Sequence, residues 1–230
     1  MSSNKDEEWN RSYLRKENHI FFPKEEVVKF LSRFIRKRTG FDSYETVASY
    51  SDRGKALDLG CGIGRQTILL NEFGLDAYGL DISHVALEQA RSLARAFGYT
   101  LDKNFILIDK NIIPFEDNFF DIAISDSVLD SMPFSFAQQY MSELNRTVSG
   151  LLYLSLIASD SADTKEAGDT IVQTTHEAGT VQGYYSEARI NELIKDTEFS
   201  IVQLNKNITN NLLTGEENAR FHIVLKKERA

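Results

Sequence analysis

From Lys55 onward, short runs rich in β-branched and aromatic residues alternate with segments whose apolar positions recur at helical spacing. That alternation is the pattern of a parallel sheet covered by helices on both faces. Seven runs read as strands: 55–61, 76–82, 104–110, 120–127, 151–158, 200–205 and 221–227. Between the second and third, Ala86, Ala90, Leu93, Ala94 and Phe97 form one apolar stripe, which predicts a helix from Ser83 to Phe97 stopped by Gly98. The same spacing over Phe136, Tyr140, Leu144 and Val148 predicts another, and Ile190, Leu193 and Ile194 a third that starts at the N-cap Ser186. The Asn-rich stretch 206–220 has no stripe, so the seventh strand returns without a helix and forms an antiparallel hairpin with the sixth.

Ahead of the sheet, Pro23 sits where a first helical turn tolerates proline, and Val27, Leu31, Phe34 and Ile35 predict an amphipathic helix running towards Gly40. Residues 1–50 therefore read as a helical extension that packs on the core or caps a site, and residues 51–230 as one globular domain. The class is α/β, a doubly wound sheet.

Composition narrows the partners. A chain of 230 residues with 42% hydrophobic side chains is long enough to bury a sizeable core. Its 26 basic and 34 acidic residues leave a net charge of −8, a mean field that repels nucleic acid and anionic membrane surfaces. Small molecules or proteins are the expected partners, with neither nucleic acid nor membrane. Cys61 is the single cysteine, so there is no cluster for structural zinc, and His19, His84 and His222 lack metal-ligand spacing; no metal is expected. No stretch approaches a membrane span and the first residues lack the apolar run of a signal peptide, so a cytoplasmic location is expected.

The strongest local signal is Ala56-Leu57-Asp58-Leu59-Gly60-Cys61-Gly62-Ile63-Gly64, an apolar strand that runs into three alternate glycines and then a helix. Bare backbone can turn sharply and approach a ligand closely, and the N-terminus of the following helix offers unpaired N–H groups. The G-x-G-x-G spacing differs from the dinucleotide fingerprint G-x-G-x-x-G, which disfavours NAD. Asp81 ends the second strand, where a carboxylate is placed to accept both hydroxyl hydrogens of a ribose. Cys61, flanked by glycines and far in sequence from any His, reads as cofactor packing rather than a nucleophile.

Asp58-Leu-Gly-Cys-Gly-Ile-Gly64 followed by Gly79-Leu-Asp81-Ile82-Ser83 resembles the first two motifs of class I S-adenosylmethionine-dependent methyltransferases, and the likeness continues through 109–125. It implies strand order 3-2-1-4-5-7-6 with the last strand antiparallel. It also implies S-adenosylmethionine as cofactor and S-adenosylhomocysteine as product. By that likeness Gly60, Cys61, Gly62 and Gly64 lie along the methionine part, Asp58 supports the loop, Asp81 holds the ribose and Ile82 packs on the adenine. Asp109, with the Lys110 or Asn111 backbone, serves the adenine edge, and the Ser125 carbonyl meets the methionine amino group.

The acceptor side carries no motif. Methyl transfer is an in-line displacement in which positioning supplies much of the catalysis. A hydroxyl acceptor needs a base, for which Asp126, Asp130 and His176 are the candidates. The long segment 160–182 reads as an active-site flap that brings Tyr184 and Tyr185 to the pocket, and Trp9 and Tyr13, with Phe21 and Phe22, either pack against the sheet or resemble the lid that many small-molecule members of the family place over the cofactor. Arg33, Arg36, Lys37 and Arg38 read as a solvated helix face that would otherwise suit a phosphate. The absence of an Asn-Pro-Pro-aromatic motif after the fourth strand counts against nucleic-acid adenine. The expected activity is methylation of O or N on a small metabolite or sugar-like molecule. Alternatives are a protein or RNA methyltransferase, an NAD(P)-dependent oxidoreductase and a non-catalytic cofactor-binding module.

Overall fold

The structure is a computed structural model, which describes residues 5–17, 19–48, 53–109, 111–159, 167–172 and 180–227. Two helices come first, α1 (Lys5–Leu14) and α2 (Glu25–Phe34), followed by a small antiparallel hairpin of β1 (Arg36–Arg38) and β2 (Tyr44–Thr46). The alternating unit then runs β3 (Lys55–Leu59), α3 (Arg65–Glu72), β4 (Asp76–Asp81), α4 (His84–Ala96), β5 (Phe105–Leu107), β6 (Phe120–Asp126), α5 (Phe134–Thr147) and β7 (Val148–Ile157). A second hairpin, β8 (Gly168–Ile171) with β9 (Val181–Tyr184), precedes α6 (Glu187–Ile194), and the chain closes with β10 (Phe199–Asn210) and β11 (Glu217–Lys227).

Seven strands form the main sheet in the order β10-β11-β7-β6-β3-β4-β5. In terms of the seven runs read from the sequence, that is 3-2-1-4-5-7-6. β3 pairs in parallel with β4 on one side and β6 on the other, so the order reverses at β3. The carboxyl end of β3 is therefore the topological switch point, where open α/β sheets bind ligands. β11 runs antiparallel to both β7 and β10.

Alternation along the strands sends side chains to two buried faces. Leu57, Ala123, Leu152 and Leu154 pack beneath α5 and α6 with Tyr140, Met141, Leu144, Ile190 and Leu193. On the other face, Ala56, Ala77, Ile122, Ile124 and Tyr153 meet Val27, Phe30 and Leu31 of α2 and Leu69 and Leu70 of α3. Of the two roles expected for the N-terminal extension, α2 takes the first, forming a layer of the core. α1 takes the second: Tyr13 packs with Ile63 and Ala86 beside the glycine loop.

Several expectations are corrected in detail. The second helix stops at Phe34 instead of running to Gly40, because Ile35, 0% exposed, turns into the core and the chain continues as β1. The basic run is thereby divided among separate partners. Arg33 bonds Gln203, Arg36 bonds the Phe73 carbonyl, and Arg38 lies over Phe41 and Tyr44. Val148 begins β7 rather than ending a helix. β10 extends well past 205 to Asn210, as the Asn-rich stretch supplies both arms of a hairpin that reaches beyond the end of β7. By contrast, Ser83 caps α4 by accepting from the Ala86 N–H, Ser186 caps α6 through Arg189, and Gly98 has the left-handed φ of 81° that stops α4.

Candidate active site

The turn from β3 into α3 places Gly60, Gly62 and Gly64 at φ of 71°, 54° and 80°, a region that side-chain-bearing residues avoid. The N–H groups of Gly60 and Cys61 donate to the Leu80 carbonyl, at 2.7 and 3.0 Å, and tie the loop to the end of β4. A Cβ on Gly60 would lie 2.3 Å from Val128 and one on Gly62 would lie 2.6 Å from the Tyr13 hydroxyl, whereas one on Gly64 would strike Phe105 and Ala90. The first two glycines keep a cavity wall bare. The third lets the loop pack closely against β5 and α4, and Gly64 does not line the cavity.

Asp81, at the tip of β4, accepts the Gly62 N–H on one oxygen and the Ser83 N–H on the other, both at 2.8 Å. Its burial raises its pKa, opposed by those two backbone donors. Asp58, one strand over, accepts from the Thr67 hydroxyl at 2.7 Å and is pushed up to about 7 by burial. Cys61 is buried, and burial holds its thiol well above the ordinary range, so it stays protonated and unreactive.

Across the cavity lies a polar wall. Lys24, just before α2, reaches the carboxylate of Asp126 at 3.0 Å and the Ser127 hydroxyl at 2.7 Å; burial lowers its pKa against the pull of Asp126. Gln66 donates to Asp126 at 3.3 Å, and Ser127 itself adopts a φ of 62°, unusual for a residue with a side chain. Asp130 accepts from the Ile157 N–H at 2.9 Å and from Arg220 at 2.5 Å through the same oxygen, Oδ2. Burial raises the pKa of Asp130 and Arg220 opposes the shift.

Between the glycine loop and this wall is a cavity of about 340 Å³. Asp58, Gly60, Cys61, Gly62, Asp81 and Ile82 line it, as do Asp126 and Asp130. Trp9 and Tyr13 close it from α1. Ser125 is buried in β6 outside the cavity lining. Asp109 is exposed and Asn111 bonds Gln139, and neither lines the cavity, although Ile108 does. Two pocket-wall expectations are corrected. Tyr185 is 0% exposed in the core, its hydroxyl donating to the Leu129 carbonyl, and Tyr184, outside the lining, donates its hydroxyl to Gln182, which lines the cavity. Phe21 and Phe22 stand outside the lining too. Lys110 and His176 lie outside the described residues, as does much of the segment read as a flap.

Sequence reasoning missed Lys24, Gln66, Tyr140 and Arg220, all of which line the cavity. Lys24 follows Pro23 and Gln66 falls in the first turn of α3, positions with no chemical signature in the sequence. Arg220 arrives through pairing with Ile157, a contact only the sheet creates. Among the described residues no group of His, Cys, Asp and Glu could hold a metal, and no helix is long and apolar enough to cross a membrane.

The glycine loop, the carboxylate at the tip of the next strand and the switch-point cavity now stand together, and family comparison agrees with them. Residues 51–218 match the methyltransferase domain family. The chain belongs to that family. That membership agrees with the family named by the resemblance. Part of the chain, 91 residues or 39% of it, is 35% identical to the probable chloroplastic tocopherol O-methyltransferase of Oryza sativa, and that match covers 25% of the rice protein. Among solved structures, a SAM-dependent methyltransferase from Methanosarcina mazei has a TM-score of 0.65 at 24% identity, over 79% of this chain and 95% of the other. The magnesium protoporphyrin IX methyltransferase of Synechocystis, solved with bound SAM, has a TM-score of 0.55 at 21% identity, covering 76% and 71%. At these identities the likeness is one of fold.

Proposed function

We propose that this methyltransferase transfers the methyl group to an oxygen or nitrogen of a small molecule held between the glycine loop and the polar wall. The observation that carries the reading is the two-sided cavity. One side offers bare backbone at Gly60 and Gly62, and the other offers the carboxylates of Asp126 and Asp130 among apolar side chains. The partial similarity to tocopherol O-methyltransferases, enzymes named for a small-molecule acceptor, supports the same class.

S-adenosylmethionine, when bound, supplies an electrophilic methyl group. Gly60 and Gly62 would take its methionine part, with Asp81 at the ribose and Ile82 and Ile108 beside the adenine; the bare loop backbone and these apolar neighbours fit that group. Asp126 is the proton acceptor for an acceptor hydroxyl, and Lys24 and Gln66 hold its carboxylate in place. Trp9 and Tyr13 line the cavity from α1 and would shield the reacting groups from water.

Thermal shift with S-adenosylhomocysteine, S-adenosylmethionine, NAD and NADP tests the cofactor half. At 100 times Kd a ligand stabilises the native state by about 2.7 kcal/mol, a rise of roughly 5 to 11 °C for a chain of this size. The S-adenosyl compounds alone are expected to give it, and a shift with NAD alone overturns the reading. Release of S-adenosylhomocysteine against a panel of hydroxylated small molecules tests the acceptor half. Turnover only with protein or RNA overturns that part.

A further inference from the structure

Asp130 is 1% exposed, lines the cavity, and uses only one of its two oxygens. Oδ2 accepts from the Ile157 N–H and from Arg220, while Oδ1 has no partner among the described residues. An unpartnered carboxylate oxygen in a buried site is costly, which marks a place for a donor supplied from elsewhere. The side chain bonds β7 at Ile157 and β11 at Arg220, and the apolar Met132 and Ile157 line the same cavity. Lys24 is paired with Asp126 and Arg220 with Asp130, so a carboxylate- or phosphate-bearing molecule would have to break an ion pair to reach Oδ1, while Arg65, which bonds the Phe22 carbonyl, belongs to the glycine-loop side of the lining.

We propose that Asp130, oriented by Arg220, is the specificity-determining residue of the acceptor site and selects an uncharged molecule with an apolar body that presents a hydroxyl or N–H donor to Oδ1. This rests on the small-molecule reading above and names its acceptor class. Arg220 acts as a positioning residue: by engaging Oδ2 together with the Ile157 N–H, it leaves Oδ1 as the free acceptor. Asp126, held by Lys24 and Gln66, remains the proton acceptor, so the two carboxylates have different tasks.

The arrangement makes a test that a purely structural carboxylate would not pass. In Asp130→Asn, the amide oxygen must face Arg220 and the Ile157 N–H, which are both donors, so the amide nitrogen takes the place of Oδ1. The hydrogen-bond polarity at that place is inverted. Phenol and anisole are matched probes, one a donor and the other only an acceptor. Their affinities are measured by calorimetry on protein saturated with S-adenosylhomocysteine, whose retained binding in every variant reports an intact fold and cofactor site. Wild type is expected to bind phenol at least about fivefold more tightly than anisole, and Asp130→Asn to lose or reverse that preference. The double variant Asp130→Asn with Arg220→Gln keeps a neutral pair should the single variant not fold, and is expected to behave in the same way. The same preference in wild type and variant, or binding of neither probe up to its solubility, overturns the proposal. Failure of S-adenosylhomocysteine to bind wild type would instead count against the cofactor site itself.

Discussion

Replacing Asp58 with Asn makes a quantitative claim about the charge buried beneath the glycine loop. Burial raises the folded pKa of Asp58 to about 7 from an ordinary 3.8. At about 1.36 kcal/mol per unit, that gap corresponds to at most ~4 kcal/mol. Because the folded value is raised, the sign runs against stability as pH rises. Below about pH 4 both folded and unfolded chains hold the proton and no charge is buried. Between about pH 4 and pH 7 the unfolded chain releases it first, so stability falls, and above about pH 7 the whole penalty is present. Asn is nearly isosteric and can still accept from the Thr67 hydroxyl, but carries no charge. Thermal denaturation of ligand-free wild type and Asp58→Asn from pH 4 to pH 8 reads the difference directly. The two should melt together near pH 4, and the variant should gain progressively, by up to ~8 to 16 °C at pH 8 for a chain of this size. A difference that stays flat with pH, or shrinks as pH rises, refutes the reasoning.

The loop, the strand tip and the lone thiol each give a simpler check. Gly62→Ala puts a Cβ at a φ of 54° and 2.6 Å from the Tyr13 hydroxyl. It should cost about 1–2 kcal/mol from backbone strain and weaken S-adenosylhomocysteine binding in calorimetry as Tyr13 shifts; wild-type melting and affinity would contradict the loop geometry. Asp81→Ala leaves the Gly62 and Ser83 N–H groups without their acceptor, a loss of about 1–3 kcal/mol for each unmet group. Cofactor binding should vanish while the far-ultraviolet circular dichroism stays native, and unchanged affinity would sink its place at the ribose. Cys61, 5% exposed and held protonated by burial, should react with a thiol reagent at pH 8 only as the protein unfolds, so rapid labelling of native protein would argue against its burial.

By itself the sequence determined the strands, most of the helices and the glycine turn with Asp81 beside it, while the strand order followed only from the resemblance. The physical reason is that these elements are local events. A β-rich run of the right length makes a strand, Ser83 and Ser186 cap the helices that follow them, and three alternate glycines permit one tight turn wherever they occur. Asp81 was legible because it ends a strand beside that turn.

The acceptor half was decided by tertiary structure, because its residues meet only through packing. Lys24 reaches Asp126 across 102 positions and Arg220 reaches Asp130 across 90, spacings at which no sequence pattern operates. Tyr185 had the composition of a pocket wall, yet the bridge between Ala158 and Tyr185 draws it into the core. Likewise α2 has the amphipathic pattern of either a lid or a core layer. The apolar face offered by Ala56, Ile122 and Tyr153 made it a layer, and that left α1 to close the site.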